Sequence, residues 1–318
     1  MTPYITVTPG ERGSGHAHLF ARLEARRSLK DIEPRLFPDN GGPENGEVVE
    51  IFGPEGTGKT ELLYLLLSRC ILPLSAGGLE LSVIFVDADF SLDLFRLVSI
   101  LDNRLHTTAP SGGPDEALLR SCLSRLLVLH CSSSSQLLLT LHFLETSFAS
   151  RPDQSLLLID SISAFYWLDR AEGRTSYSKQ EEKLNKCSEL LGRLLRDYKI
   201  TVFATSSSAP SPSPAPSHSS APSPSSAPSS SAPSPSLDQD KPYLCRAWQK
   251  LVSHRLTCSK SEIVPKMATT TASSLMGPKR RRATQFTVHC SSRNKGSRIN
   301  HFTVTDRGVE FITELNQD

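Results

Sequence analysis

Eight consecutive residues carry the clearest chemical pattern in the sequence. The spacing GxxxxGK[ST] is met by Gly53, Pro54, Glu55, Gly56, Thr57, Gly58, Lys59 and Thr60. Glycines at these positions let backbone N–H groups turn inward around phosphate oxygens, and the lysine adds a full positive charge. The final threonine offers a hydroxyl ligand for Mg²⁺. The stretch therefore predicts a site that binds the phosphates of a nucleotide.

A second candidate is the carboxylate of Asp160, which ends the apolar run Leu156–Ile159. In proteins with such a phosphate-binding loop, an Asp at the carboxyl end of a neighbouring strand holds Mg²⁺ opposite the loop hydroxyl. We therefore predict that Asp160 and Thr60 are the metal residues. The alternative is that Asp160 only caps the turn that starts at Ser161.

Around these residues, apolar strand-like runs alternate with helical patterns from Val48 to Thr205. The run Val83–Val86 leads into Asp87 and Asp89, and a helix is predicted over Ser91–Leu105 with Ser91 as its N-cap. Later strands are shorter and separated by turn-rich segments. This order predicts an α/β fold, with a mostly parallel sheet flanked by helices and antiparallel strands at the C-terminal edge.

Composition divides the chain into three parts. Residues 1–44 are predicted to be a short N-terminal extension and residues 45–318 the core. The core is interrupted at 206–241 by an insert rich in Ser, Pro and Ala, which cannot build a hydrophobic core. The insert is either a length-tolerant loop without specific function or a loop that binds a partner or is phosphorylated.

Global charge and hydropathy exclude some classes of protein. Lys and Arg number 35 against 33 Asp and Glu, so whole-chain charge gives no signature of a nucleic-acid or membrane binder. We find no apolar run near the ~18 residues that a bilayer span requires and predict no membrane partner. The seven scattered cysteines favour reduced thiols in a soluble, non-secreted protein.

One local segment is strongly basic. Between Gly277 and Arg298 there is no acidic residue, and the densest cluster is Lys279, Arg280, Arg281 and Arg282. Three interpretations remain open for this cluster: a solvated hairpin loop, a nuclear import signal, or direct contact with DNA phosphates.

The order of these motifs resembles the RecA family of recombinases, including Phe90 directly after the Asp89 carboxylate. Other stretches resemble the recombinase paralogues of that family: Arg22–Glu24, Ser28–Lys30, Cys131–Ser134, Leu138–Leu141, Ser163–Asp169 and Pro242–Trp248. The resemblance implies a RecA-like P-loop NTPase core that binds ATP and Mg²⁺. It also implies a nuclear role in homologous recombination repair of double-strand breaks. The implied partners are other RecA-like paralogues in a hetero-oligomeric complex, and single-stranded or branched DNA reached through that complex.

Two positions depart from the family pattern. Asp89 stands where the family has a Glu that orients and deprotonates the attacking water, which makes Asp89 a candidate catalytic residue shortened by one methylene. Ser206 and Ser207 stand where the family presents a polar residue, often Gln, that senses the γ-phosphate and leads into a DNA-contacting loop. Since positioning governs this reaction, we expect weak hydrolysis.

These observations favour an ATP-binding accessory or assembly subunit. The alternative is an active DNA-dependent ATPase or strand-exchange enzyme. A third hypothesis, a small-molecule kinase, is supported only by Arg170 and Arg174. The stretch before Gly53 is too short for the helical amino-terminal domain that most relatives carry. We therefore expect a subunit that caps an assembly.

Overall fold

The computed structural model describes residues 28–108, 116–151, 154–172, 177–207, 244–262 and 284–312. The basic cluster Lys279, Arg280, Arg281 and Arg282 lies outside the described residues, as do residues 1–27 of the predicted extension and residues 208–241 of the predicted insert.

One nine-stranded sheet forms the centre of the molecule, in the order β3-β2-β4-β5-β1-β6-β7-β8-β9. Its strands are β1 Val48–Gly53, β2 Val83–Asp87, β3 Leu126–His130, β4 Leu156–Asp160, β5 Thr201–Ser207, β6 Val252–Glu262, β7 Thr284–Ser292, β8 Gly296–Thr305 and β9 Gly308–Phe311. Strands β1 to β6 pair in parallel, whereas β7, β8 and β9 pair antiparallel. The predicted fold class is confirmed.

Helices cover both faces of the parallel part. They are α1 Lys59–Ile71, α2 Leu94–Thr108, α3 Glu116–Leu123, α4 Ser134–Ser150, α5 Tyr166–Glu172, α6 Tyr177–Tyr198 and α7 Arg246–Leu251. Helix α2 begins three residues later than predicted, and its N-terminal cap is Asp93, whose Oδ1 accepts a hydrogen bond from Arg96 N at 3.0 Å. The prediction of Ser91 as the cap was wrong because that side chain reaches Asp160 instead.

Alternation along the buried strands separates two hydrophobic clusters. Residues such as Ile51, Phe85 and Leu158 face α1, α2 and α3. Their sequence neighbours, such as Val86 and Leu157, face α4, α6 and α7. Because side chains alternate across a strand, polar residues placed at strand ends are also sorted onto one face or the other. This sorting decides which of them meet the phosphate-binding loop.

The C-terminal strands extend the sheet beyond β1. Strand β6 is 11 residues long, so it first pairs in parallel with β1 and then continues as the partner of β7. Cys258, Val288 and Phe302 from these strands join the α1 side of the core. The antiparallel strands therefore lie beside the loop that begins at Gly53.

The ends of the described chain also contribute to the core. Leu29, Ile32, Leu36 and Phe37 are buried against it, although they belong to the predicted extension.

All seven cysteines are buried and free. Among the helices in the described ranges, none is long and apolar enough to cross a membrane.

Candidate nucleotide-binding site

The predicted phosphate-binding loop joins the end of β1 to the start of α1. Gly56 and Gly58 have φ angles of 72° and 84°, in the left-handed region where side chains are strained. A Cβ on Gly58 would also lie 3.2 Å from the Phe302 ring. Glycine is therefore required there by both backbone conformation and packing, and the loop takes the shape that the sequence pattern predicts.

Two side chains fold back onto this loop. Thr57 Oγ1 and Lys59 Nζ each donate a hydrogen bond to the carbonyl oxygen of Pro54, both at 2.8 Å. Burial lowers the pKa of Lys59, while the negative charges of Asp160 and Asp89 act in the opposite direction. The ammonium group is thus held within the loop by a single carbonyl, which a phosphate oxygen could replace.

Asp160 lies across from Thr60, as predicted. Its side chain is only 3% exposed. Oδ2 accepts hydrogen bonds from Thr60 Oγ1 at 3.2 Å and Ser91 Oγ at 3.4 Å, and Oδ1 accepts one from Thr205 Oγ1. Burial raises the pKa of Asp160, and the hydroxyl donors partly offset that effect.

These contacts fit the group that the motif implies. Mg²⁺ is bound by oxygen ligands, commonly one or two carboxylate or hydroxyl groups together with water and phosphate. Thr60 and Asp160 bring a hydroxyl and a carboxylate together beside the loop. Asp160 accepts from neutral hydroxyl groups, so its charge is not neutralised by a bonded cation. A divalent ion would supply that missing positive charge.

Asp89 is adjacent to Asp160 at the neighbouring strand end. The amides of Ala88 and Asp89 donate to the carbonyl oxygen of Asp160 at 2.7 and 3.2 Å. Burial raises the pKa of the Asp89 carboxyl, as does the charge of Asp160, whereas a hydrogen bond from Ser161 and the charge of Lys59 lower it. The structure therefore brings Asp89 near both Lys59 of the loop and the Asp160 carboxylate.

Residues that were not predicted as site residues hold the connection from β2 to α2. The buried Asp87 carboxylate accepts from the amides of Ser91 at 3.1 Å and Leu92 at 3.4 Å. The hydroxyl group of Tyr64, on α1, makes two hydrogen bonds. It accepts one from the amide of Asp93 at 2.7 Å and donates one to the carbonyl oxygen of Ser91 at 3.4 Å. The chain segment carrying Asp89 is thereby fixed to α1.

Thr205 was also missed as a site residue. It follows a buried apolar run, as Asp160 does, and that position at a strand end was the available signal. Its neighbour Ser206 points to the opposite face, where its Oγ donates to Glu50 Oε1 at 2.8 Å. Thr205 and Ser206, adjacent in one strand, thus donate hydrogen bonds to two different carboxylates, Asp160 and Glu50.

The fold defines an α/β protein with a RecA-like sheet and a P-loop motif between β1 and α1. A family model described as Rad51 matches residues 35–225, and the chain belongs to the Rad51 family.

Individual relatives cover most of the chain. The mouse protein called DNA repair protein XRCC2 is 44% identical over 257 residues, which are 79% of this chain and 86% of that protein. An Arabidopsis thaliana protein called DNA repair protein XRCC2 homolog is 28% identical over 258 residues, which are 68% of this chain and 69% of that protein. The DNA repair protein RAD51 of Saccharomyces cerevisiae is 31% identical over 166 residues, covering 52% of this chain and 38% of the yeast protein.

Proposed function

We propose that this chain is an ATP- and Mg²⁺-binding recombinase paralogue that acts as an accessory subunit in homologous recombination repair of DNA. It would assemble with other RecA-like paralogues in the nucleus, assist the main recombinase, and reach DNA through that complex. The names of its relatives support DNA repair as the process.

One observation carries the nucleotide-binding part of the proposal. Thr60 Oγ1 lies 3.2 Å from Asp160 Oδ2, although the two residues are 100 positions apart in sequence. The first is on the phosphate-loop helix and the second ends β4. Lys59 begins the same helix as Thr60, and its ammonium interacts electrostatically with Asp160. Bound Mg²⁺ would there neutralise charge on the nucleotide phosphates.

The accessory role depends on Asp89. Its carboxylate is near Lys59 and Asp160, but it is one methylene shorter than the Glu expected from the family resemblance. In a reaction limited by positioning, a misplacement of about 1 Å lowers the rate by on the order of a hundredfold. A subunit that holds ATP and hydrolyses it slowly would remain in one nucleotide state, which suits a role in assembly.

The test is nucleotide binding and ATP turnover of the purified chain, with and without DNA. We expect MgATP binding, loss of binding in Lys59→Ala, and negligible turnover under both conditions. Asp89→Glu should raise turnover, because it restores the reach of the carboxylate, without changing MgATP affinity more than about threefold. No MgATP binding by the unmodified chain would overturn the proposal.

A second function has an observation of its own. Since the charges of Asp160 and Lys59 both act on the Asp89 carboxyl, the chain keeps a carboxylate close to its loop lysine and Asp160, as a DNA-dependent ATPase requires. Strong stimulation of turnover by DNA, abolished by Lys59→Ala, would favour that enzyme over the accessory subunit.

A further inference from the structure

A second hydroxyl group, that of Ser91, meets Asp160 beside Thr60. Thr60 Oγ1 and Ser91 Oγ both donate to the same carboxylate oxygen, Asp160 Oδ2, at 3.2 and 3.4 Å. Ser91 lies outside the phosphate-binding motif, and helix α2 does not use its hydroxyl, because Asp93 caps that helix. Ser91 is exposed whereas Asp160 is buried, so the serine hydroxyl lies on the solvent side of the carboxylate. A metal ion with its water ligands would approach Asp160 from that side.

The backbone of Ser91 is held at both its amide and its carbonyl group. The amide donates to Asp87 Oδ1 at 3.1 Å, and the carbonyl oxygen accepts from Tyr64 Oη at 3.4 Å. Tyr64 Oη also accepts from the amide of Asp93 at 2.7 Å. Because the side chains of Asp87 and Tyr64 are both buried, these contacts fix the place of an otherwise exposed residue.

Tyr64 is suited to this role because its hydroxyl keeps its proton. Burial raises the pKa of Tyr64 to about 12, so the phenol has one proton to donate at neutral pH. The amide of Asp93 can only donate, and the proton of Tyr64 therefore goes to the carbonyl oxygen of Ser91. Tyr64 and Thr60 both belong to α1. One helix thus carries the first hydroxyl of the site and holds the residue that supplies the second.

We propose that Ser91 is a second hydroxyl residue of the metal site, and that Tyr64 is the positioning residue that directs it at Asp160. A serine hydroxyl has one proton to donate and two lone pairs that accept, so Ser91 can donate to Asp160 and accept from water at the same time. Mg²⁺ bound to a protein usually keeps several water ligands, which are donors of this kind. The inference rests on the proposed function and deepens it, because it adds a residue to the same nucleotide site.

The first test is the side-chain rotamer of Ser91, measured by NMR three-bond couplings without metal or nucleotide. We expect a single rotamer in the unmodified chain. Tyr64→Phe removes the donor to the carbonyl oxygen of Ser91, so its couplings should be averaged over several rotamers.

The matched control is Glu61→Gln, which loosens a different contact between α1 and α2. The carboxylate of Glu61 accepts from Arg96 Nε and Nη2, both at 3.0 Å, and does not contact Ser91 in the described structure. Ser91 should therefore keep one rotamer in this variant. Averaged couplings in the unmodified chain or in the control would overturn the positioning role of Tyr64.

The second test is the ratio of ATP affinities measured with Mg²⁺ and with a chelator. Ser91→Ala should lower this ratio about fivefold and leave the affinity in chelator unchanged, since it removes an interaction made only through the metal. Ser91→Thr retains the hydroxyl and should restore the ratio. Tyr64→Phe should lower the ratio about threefold, and adding it to Ser91→Ala should cause no further loss, because Tyr64 acts through Ser91.

The outcomes separate this inference from the proposed function. An unchanged ratio in Ser91→Ala, or an equal loss of ATP affinity in chelator, would refute the metal role of Ser91 while MgATP binding still supports the proposed function. Additive losses in the double variant would refute the action of Tyr64 through Ser91. Failure of the unmodified chain to bind MgATP would refute the proposed function, and the Ser91 rotamer would still decide whether Tyr64 positions that residue.

Discussion

Two carboxylates buried in the same sheet have opposite surroundings. Asp160, at the end of β4, is 3% exposed and accepts hydrogen bonds from the hydroxyls of Thr60, Ser91 and Thr205. Glu50, in the middle of β1, is 1% exposed and is bonded to Arg255 Nε at 2.7 Å.

The remaining partners of Glu50 complete its pairing. Trp248 Nε1 and Ser206 Oγ both donate to Oε1 at 2.8 Å. Glu50 is therefore bonded to a cation within the protein, whereas the described hydrogen-bond donors to the Asp160 carboxylate are neutral hydroxyl groups. Burial of a carboxylate does not identify a functional site, and the charge of its partners is what separates a structural acid from a metal-binding one.

The largest expected effect is the loss of stability caused by substituting Glu50. In Glu50→Leu the guanidinium of Arg255 would remain partly buried without its partner, so we expect a loss of about 3 kcal/mol in the free energy of unfolding. Denaturant unfolding measures it. The surface pair Arg120–Glu116, 2.7 Å apart on α3, provides the control, and Glu116→Gln should cost less than about 0.5 kcal/mol.

The double variant Glu50→Leu with Arg255→Met sharpens this prediction. Removing both charges should recover much of the lost stability, since no unpaired ion remains. If the double variant is as unstable as Glu50→Leu, then packing and not charge pairing accounts for the role of Glu50.

Asp160 should behave in the opposite way. Asp160→Asn removes a buried charge to which no cation is hydrogen-bonded among the described residues, so the metal-free protein should keep or gain stability at pH 7. The affinity for MgATP should fall by tenfold or more, about 1.4 kcal/mol, because the amide cannot supply the charge that the metal requires. A large loss of stability without loss of MgATP affinity would place Asp160 in the same structural class as Glu50.

The strand order explains why only part of this site was predictable. Residues Gly53–Thr60 form one contiguous motif, and Asp160 ends an apolar run, so both could be recognised in the sequence. The donors to Asp160 come from positions 100, 69 and 45 residues away. Hydroxyl residues are common at such strand ends, and the sequence does not say which of them the sheet order brings together.

The fold, too, was only partly predictable from the sequence. The alternation of apolar runs and helical patterns predicted the parallel sheet and its antiparallel edge. It did not predict that β6 would pair with β1 in parallel and continue into the antiparallel set. That dual pairing places Arg255 beside Glu50, and nothing local in either segment indicates it.

The pH dependence of stability gives a smaller effect with a defined sign. Burial raises the pKa of Asp160 in the folded state above its unfolded value, so the folded protein binds that proton more tightly. The stabilisation from this group is present below the unfolded pKa of about 3.9 and is lost as pH rises through the folded pKa. In metal-free protein, the stability of the unmodified chain relative to Asp160→Asn should therefore fall as pH increases from 4 towards neutrality.

This stability difference reports the titration of Asp160 together with its electrostatic effect on Asp89 and Lys59, while the contributions of groups that do not interact with Asp160 cancel. Thermal unfolding of both proteins in the presence of a chelator, at several pH values, measures this stability difference. A relative stability that rises with pH would mean that Asp160 is stabilised as an anion by the protein, as a paired carboxylate is.

The smallest effect compares two adjacent residues of β5. Ser206→Ala removes one of the hydrogen bonds to Glu50 and should cost about 1 kcal/mol of stability, since Trp248 still donates to the same oxygen. Thr205→Val removes a donor to Asp160, and since that donor favours the charged form, its loss should weaken MgATP binding about fivefold, most clearly at acidic pH.

Measuring both properties for both variants decides whether the two carboxylates are independent. Because Thr205 and Ser206 lie on opposite faces of one strand, each substitution should change only one property: stability for Ser206→Ala and MgATP affinity for Thr205→Val. If Ser206→Ala also weakens MgATP binding, then β5 transmits changes from the Glu50 cluster to the nucleotide site. The ion-paired Glu50 and the Asp160 carboxylate would then be two ends of one coupled structure.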